Sequence, residues 1–373
     1  MAARARAHSR CAGRCATFRG RAGAARQVLA PALAGSGAAD YAWPTFRSPP
    51  GTDMLRRLLL QSPVLCMAPA IVRAQSPRDE FDLGPSGVMS IQELEREPVH
   101  VTLDQPYALT TNPRQRLDLY LPRERHRGPL PVIVYVHGGG WMHGDKADGA
   151  ARLMDFVRGG YYAGVSVGYR LSGEAPWPAP LHDVKAAVRW VRGNADGLGL
   201  DPARIGVWGR GAGAHLALML GTTANVPRLE GTLGEHRQHS SQVRAVANFF
   251  GPTDLSVLGR GADTPEGRLL GGAVRDRLGL AREASPAAHA STATPPVLTV
   301  HGTLDRVVPF SQAARLDDAL HKAGTKSYLV TIDGGAHGDF GSSADDRLGA
   351  LFDRELLGMD REVSVAPVIW AQR

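Results

Sequence analysis

Residues 137–141 read His137-Gly138-Gly139-Gly140-Trp141 and follow directly on the apolar run Val132-Ile133-Val134-Tyr135-Val136. Three consecutive glycines let a backbone turn sharply and aim several N–H groups at one point, which suits an anionic oxygen developing during acyl transfer. A phosphate loop is excluded here: Gly139 and Gly144 have its separation, but Asp145 stands where that loop needs Lys. A second constellation, Gly209-Arg210-Gly211-Ala212-Gly213-Ala214, follows the run Arg204–Trp208 and opens a helical pattern. It meets the loose dinucleotide fingerprint G-x-G-x-x-G/A, with Glu230 about twenty residues on. Glu230 ends no recognisable second strand, however, and a nucleotide site leaves the glycine turn unexplained. Two further residues, Asp305 and His337, each sit in a loop just past an apolar run. Alone, such residues are ordinary solvated or capping groups. The thirteen His and the carboxylates show no H-E-x-x-H or clustered ligand spacing, so no metal and no other cofactor is implied.

These loops need a scaffold, and the intervening sequence supplies one. Strands are expected at Arg116–Leu121, Pro131–Val136, Tyr161–Val167, Arg204–Trp208, Ala245–Phe250, Pro296–Val300 and Ser327–Ile332. Most are near-continuous β-branched or aromatic runs suited to a sheet covered on both faces. Helical patterns lie between them at Ala150–Val157, from Pro180 to the glycines 197 and 199, and at Ala212–Leu220, Ser311–Lys322 and Asp345–Leu357. Strands alternating with helices imply right-handed crossovers and a mostly parallel central sheet with helices on both faces. Ligands on such sheets bind at the carboxyl ends of the strands. The polar stretch Val226–Ser241 reads as a surface excursion, and residues 95–373 read as one domain joined to what precedes by a linker at 75–94.

Of the 373 residues, 43% are hydrophobic and 21% charged, which excludes a disordered or collagen-like chain. The net charge of +7 is concentrated at one end. Residues 1–74 hold eleven Arg against Asp40 and Asp53, a surplus of nine that leaves residues 75–373 at −2. The body is therefore not a basic nucleic-acid binder. Cys11, Cys15 and Cys66 all fall in the same end, so disulfides and thiolate metal sites are excluded from the body. From Met54 the chain runs Arg56-Arg57, an apolar stretch interrupted by Pro63 and Pro69, then Val72-Arg73-Ala74. That is the pattern of a signal peptide at 54–74 cleaved after Ala74, giving a periplasmic or secreted body with no membrane span. Residues 1–53, rich in Ala, Arg and Gly, read as a disordered or spurious extension.

With the glycine turn, the segments Val167-Gly168-Tyr169-Arg170-Leu171, Trp177-Pro178-Ala179-Pro180-Leu181-His182-Asp183-Val184 and Asp201-Pro202-Ala203-Arg204-Ile205-Gly206-Val207-Trp208-Gly209 complete a resemblance. Over roughly residues 95–360 the chain resembles the α/β-hydrolase esterases of the hormone-sensitive-lipase-like type, nearest to their feruloyl/acetyl-esterase-like branch. The resemblance implies an α/β-hydrolase fold, a small-molecule ester as substrate, and a Ser-Asp-His triad with a nucleophile elbow G-x-S-x-G. Asp305 matches the acid loop and His337 the base loop, in the order this fold uses. The oxyanion would be received by the amides of Gly139, Gly140 and Ala212, and Trp141 and Trp177 are candidates for lining the acyl or aryl pocket, or for the core. At the elbow stands Gly209-Arg210-Gly211-Ala212-Gly213, and no other G-x-S-x-G occurs in the chain. With Gly211 at the nucleophile position no acyl-enzyme can form, and turnover is expected to be very low or carried by a water activated by His337. A non-catalytic binding protein or a noncovalent lyase on the same fold is the alternative. His137, Asp183, His215 and Asp254 are expected in supporting roles.

Overall fold

The computed structural model describes residues 87–259, 261–338 and 340–370. The expected signal peptide at 54–74, the extension at 1–53 and most of the 75–94 linker lie outside these residues. Among the described residues nine strands form one sheet: β1 Val99–Pro106, β2 Arg116–Pro122, β3 Leu130–Val136, β4 Ala163–Val167, β5 Leu200–Arg210, β6 Ala245–Phe249, β7 Val297–Gly302, β8 Ser327–Asp333 and β9 Val368–Ile369. Their spatial order is β1-β2-β4-β3-β5-β6-β7-β8-β9. Only the β1–β2 and β2–β4 pairings are antiparallel. From β4 through β9 every neighbour runs parallel. The helices are α1 Ile91–Arg96, α2 Ala150–Arg158, α3 Ala179–Gly193, α4 Ala195–Leu198, α5 Ala212–Thr222, α6 Pro265–Leu270, α7 Leu278–Glu283, α8 Ser311–Lys322 and α9 Ser342–Leu357.

Period-two alternation divides each central strand between two cores. On β3, Val132, Val134 and Val136 pack with Val184 of α3, Leu216 of α5 and Leu316 of α8. Ile133 and Tyr135 pack on the opposite face with Leu153 of α2 and Leu351 of α9. All seven residues of β3 and all five of β4 and of β6 are buried. This is the doubly covered parallel sheet that their uninterrupted apolar runs specify. All seven expected strands are present. β5 extends the expected Arg204–Trp208 at both ends, and β4 starts two residues later than Tyr161, which is exposed.

Two strands carry no comparable signal. β1 is an edge strand with only Val99 buried, broken by a register shift between Thr102 and Gln105; β9 has two residues. The helix expected to run from Pro180 to the glycines ends instead at Gly193, and the short α4 closes on Gly199 at φ 66°. The stretch 226–241 is more than a surface excursion. Glu230 reaches inward to the buried Lys185 and Arg189 of α3, and Ser241 donates to the same carboxylate at 2.8 Å.

Candidate active site

Because β3, β5, β7 and β8 run parallel, the loops at their carboxyl ends share one edge of the sheet. Those loops carry residues 137–141, Gly211, Asp305 and His337. The glycine turn lies after β3, with Gly139 at φ 100° and Gly140 at φ 60°, where a side chain is strained. Met142 and His143 both donate to the Gly139 carbonyl at 3.0 Å and lock the turn. Among the described residues the amides of Gly139 and Gly140 donate to nothing. The expected supporting role of His137 fits its surroundings: it is fully buried, stacked on Tyr169 at 4.2 Å, with Nδ1 2.9 Å from the Gly138 carbonyl oxygen. Burial pushes its imidazole toward the neutral form.

β5 ends at Arg210 and α5 begins at Ala212, so Gly211 is the whole connection, at φ 52° and ψ −118°. Its N–H donates to Phe249 and its carbonyl accepts from His215, both at 3.0 Å, which fixes the turn from both sides. The Ala212 amide is one of the four N–H groups a helix start leaves without an intrahelical partner. The three glycines of this turn are not equivalent. A Cβ on Gly209 would lie 2.5 Å from the Gly213 carbonyl carbon, and one on Gly213 only 2.1 Å from the Val136 oxygen. Among the described residues, its chain neighbours apart, a Cβ on Gly211 would meet one heavy atom within 4 Å, Nε2 of His337 at 3.8 Å.

On the other side, His337 Nδ1 is 2.7 Å from Oδ2 of Asp305. The Asp305 carboxylate is buried, its Oδ1 accepting from the amides of Val307 at 2.9 Å and Val308 at 2.8 Å. A second imidazole, His301 at the end of β7, places Nε2 3.3 Å from Oδ2 and 2.8 Å from the Val308 carbonyl oxygen. The carbonyl partner requires the hydrogen on Nε2, so His301 donates. Burial by itself would raise the Asp305 pKa, but the hydrogen bonds from His301 and His337 outweigh it and hold the carboxyl well below the usual range. Phe250 meets the His337 ring edge-on at 4.4 Å and limits its rotation.

Gly139, Gly140, Trp141, Gly211, Ala212 and His337 line one cavity of about 310 Å³. The expected residues thus line a common space except for two, Asp305, which stands behind His337, and Trp177. Trp177 does not line the cavity; it is buried edge-on to His215, its Nε1 donating to Glu283 at 3.1 Å. Trp141 lines the cavity but is itself 1% exposed. His215 is buried on α5 between the two tryptophans, its Nε2 2.7 Å from the Ala284 carbonyl oxygen. Burial pushes its pKa down to about 4. Asp183 receives Arg170 and Gln115, tying the loop after β4 to α3. Asp254 caps the turn at Leu255–Val257.

Among the polar residues of the cavity wall, Thr264 and Glu266 at the start of α6 have no counterpart in the sequence reading, and Arg306 enters that reading only as part of the acid loop that carries Asp305. Burial raises the Glu266 carboxyl, opposed by its own amide and by Thr264. The sequence signal nearest to this wall is the Thr264-Pro265 helix start, which marks a cap and not a pocket. Among the described residues no group of three or more His, Cys, Asp or Glu is placed to hold a metal ion.

A mostly parallel sheet with a glycine turn after one strand, a strand-turn-helix elbow and an Asp–His pair after two others defines an esterase-type α/β-hydrolase. A family model described as BD-FAE matches residues 117–320, more than half of the chain, and the chain belongs to that family. Esterase LipC of Mycobacterium tuberculosis is 32% identical over 235 residues, which are 61% of this chain and 57% of LipC. The chain spans about half the length of the curated relatives it matches. Among solved structures, a truncated carbohydrate esterase from gut microbiota is 30% identical with a TM-score of 0.67, over 70% of this chain and 98% of that one. A thermophilic esterase from the Planctomycetes species Thermogutta terrifontis is 28% identical with a TM-score of 0.57, over 72% and 95%. That esterase has also been solved phosphonylated by sarin.

Proposed function

We propose that this chain is a carboxylic-ester hydrolase for small acyl or aryl esters in which Gly211 occupies the position of the nucleophilic serine, leaving hydrolysis slow and carried by water. The observation that carries this reading is the relation of His337 to Gly211. An imidazole held by a buried carboxylate faces the one glycine of the elbow that has room for a side chain. In the steps that follow, a water in the cavity gives its proton to Nε2 of His337 as its oxygen attacks the ester carbonyl. Asp305 accepts the Nδ1 hydrogen and stabilises the imidazolium. The amides of Gly139, Gly140 and Ala212 receive the oxyanion. Collapse of the tetrahedral species expels the alkoxide, which takes the proton back from Nε2. Trp141 and the apolar cavity wall hold the acyl or aryl group. The relatives' names support ester chemistry in this pocket, and the carbohydrate-esterase likeness adds acylated sugars to the aryl esters as candidate substrates. Export through residues 54–74 belongs to the same proposal and rests on the sequence pattern.

Gly211 itself favours a second reading, a binding protein or noncovalent lyase that keeps the oxyanion pocket. One substitution separates the two. Gly211→Ser is expected to raise hydrolysis of a short-chain aryl ester by about 10⁴- to 10⁶-fold, and to make the chain label with a fluorophosphonate, the class of reagent that modifies the Thermogutta esterase. A folded serine variant that neither labels nor turns over removes the hydrolase reading.

A further inference from the structure

We infer that the cavity at Gly211 admits a small primary alcohol, and that the chain transfers the acyl group of a bound ester directly to it in a single displacement. This rests on the ester-hydrolase reading of the same cavity and adds an acceptor other than water. A serine side chain is a CH₂OH group, and methanol is that group with a hydrogen in place of its bond to Cα. The elbow offers the matching space: among the described residues beyond its chain neighbours, a Cβ on Gly211 would touch only His337 Nε2, at 3.8 Å, whereas one on Gly213 would lie 2.1 Å from backbone. A free methanol must stand further from Cα than a bonded carbon does, and the cavity of about 310 Å³ that reaches Gly211 gives it that distance. tert-Butanol carries its hydroxyl on a carbon flanked by three methyl groups, and such a hindered oxygen attacks a carbonyl carbon poorly.

Seated there, the methanol hydroxyl lies beside the imidazole that Asp305 holds at 2.7 Å. Nε2 of His337 takes the hydroxyl proton as the oxygen bonds to the carbonyl carbon. The oxyanion forms against the amides of Gly139, Gly140 and Ala212. The C–O bond to the original alcohol then breaks, and the departing oxygen takes the proton from Nε2. The products are a methyl ester and the released alcohol; nothing is oxidised or reduced. No acyl-enzyme intervenes, so the acceptor enters the only chemical step. Loss of the starting ester must therefore rise with methanol concentration.

The test measures aryl release from a short-chain aryl ester in rising methanol, with the products analysed by mass spectrometry. Above its hydrolytic rate this chain should release aryl alcohol in a linear rise with methanol, and it should form the methyl ester about a hundredfold faster than His337→Ala at the same methanol. tert-Butanol at equal concentration should leave the rate flat. His337→Gln, checked for native unfolding behaviour, guards against a misfolded alanine variant. Aryl release that is flat in methanol, or that rises equally in the His337 variants, overturns the inference. Gly211→Ser assayed in parallel separates the causes: if it hydrolyses the ester while the parent ignores methanol, the transfer fails and the hydrolase reading stands. If neither protein consumes the ester, both fall.

Discussion

The two sides of the site are built by different means. After β7 and β8, side chains do the work: four donors converge on the Asp305 carboxylate, and through it the ring of His337 is fixed in one orientation. At the carboxyl ends of β3 and β5 the backbone does it. The glycine turn is closed by main-chain hydrogen bonds to Gly139, and the elbow by main-chain bonds through Gly211 and by close contact at Gly209 and Gly213. A residue change therefore has opposite meanings on the two sides. Replacing Asp305 would release the imidazole, whereas a side chain at Gly211 can be gained or lost without disturbing the packing that shapes its turn. This is why an intact elbow coexists with a position that carries no hydroxyl.

The largest break in this comparison comes from the acid. In a Gly211→Ser background, Asp305→Asn should lower turnover of an aryl ester by about 10⁴-fold, because the amide cannot hold His337 in the tautomer that leaves Nε2 free to accept a proton. The fold should persist, since Asn keeps an oxygen for the Val307 and Val308 amides. Near-unchanged turnover in the folded double variant would mean that some other group orients the base.

The opposite half should answer to acid through burial. His215, behind the elbow on α5, has its pKa pushed down to about 4 by burial. In the unfolded chain the imidazole returns to about 6.5, so between these values only the unfolded state binds the proton. The stability this residue confers is thus complete above about pH 6.5 and is lost progressively as the pH falls toward 4, about 3 kcal/mol in all. Urea unfolding of the parent and of His215→Gln over this window isolates the contribution. The parent should lose about 2 kcal/mol more than the variant between neutrality and pH 5, and parallel pH profiles would refute a neutral buried His215.

Most of the scaffold was legible because a covered parallel strand has to be apolar throughout, as β3, β4 and β6 are. β1 escaped because an edge strand is half solvated and its bulge breaks the alternation. The Asp305–His337 pairing was legible only through resemblance; spacing along the chain says nothing of two loops meeting at 2.7 Å. The bond from His301 to Asp305 was not legible, because it depends on the fold of the 301–308 loop. Glu266 had no local signature, and the cavity position of Arg306 had none beyond its place in the acid loop, since a charged residue that lines a cavity is written like one that faces water. Trp177 shows the converse: an aromatic beside the elbow reads equally as pocket or core, and its contact with His215 places it in the core.

The smallest effect tests the elbow's backbone alone. Gly211→Ala adds a methyl group where the nearest atom is 3.8 Å away, so no steric overlap is created. What it adds is strain, because φ 52° is a conformation L side chains rarely adopt. The expected loss of stability is about 1–3 kcal/mol, read as a shift of the urea midpoint with no change in the slope of the transition. Gly211→Ser should lose a similar amount while it gains turnover, so the elbow would trade stability for chemistry at one backbone position. An unchanged midpoint in Gly211→Ala would show a turn that relaxes around the methyl, and a loss well above this range would show that the position is closed by packing, as Gly209 and Gly213 are. The second result would erase the distinction between the middle glycine and its neighbours, and with it the reason for reading Gly211 as the place of a side chain.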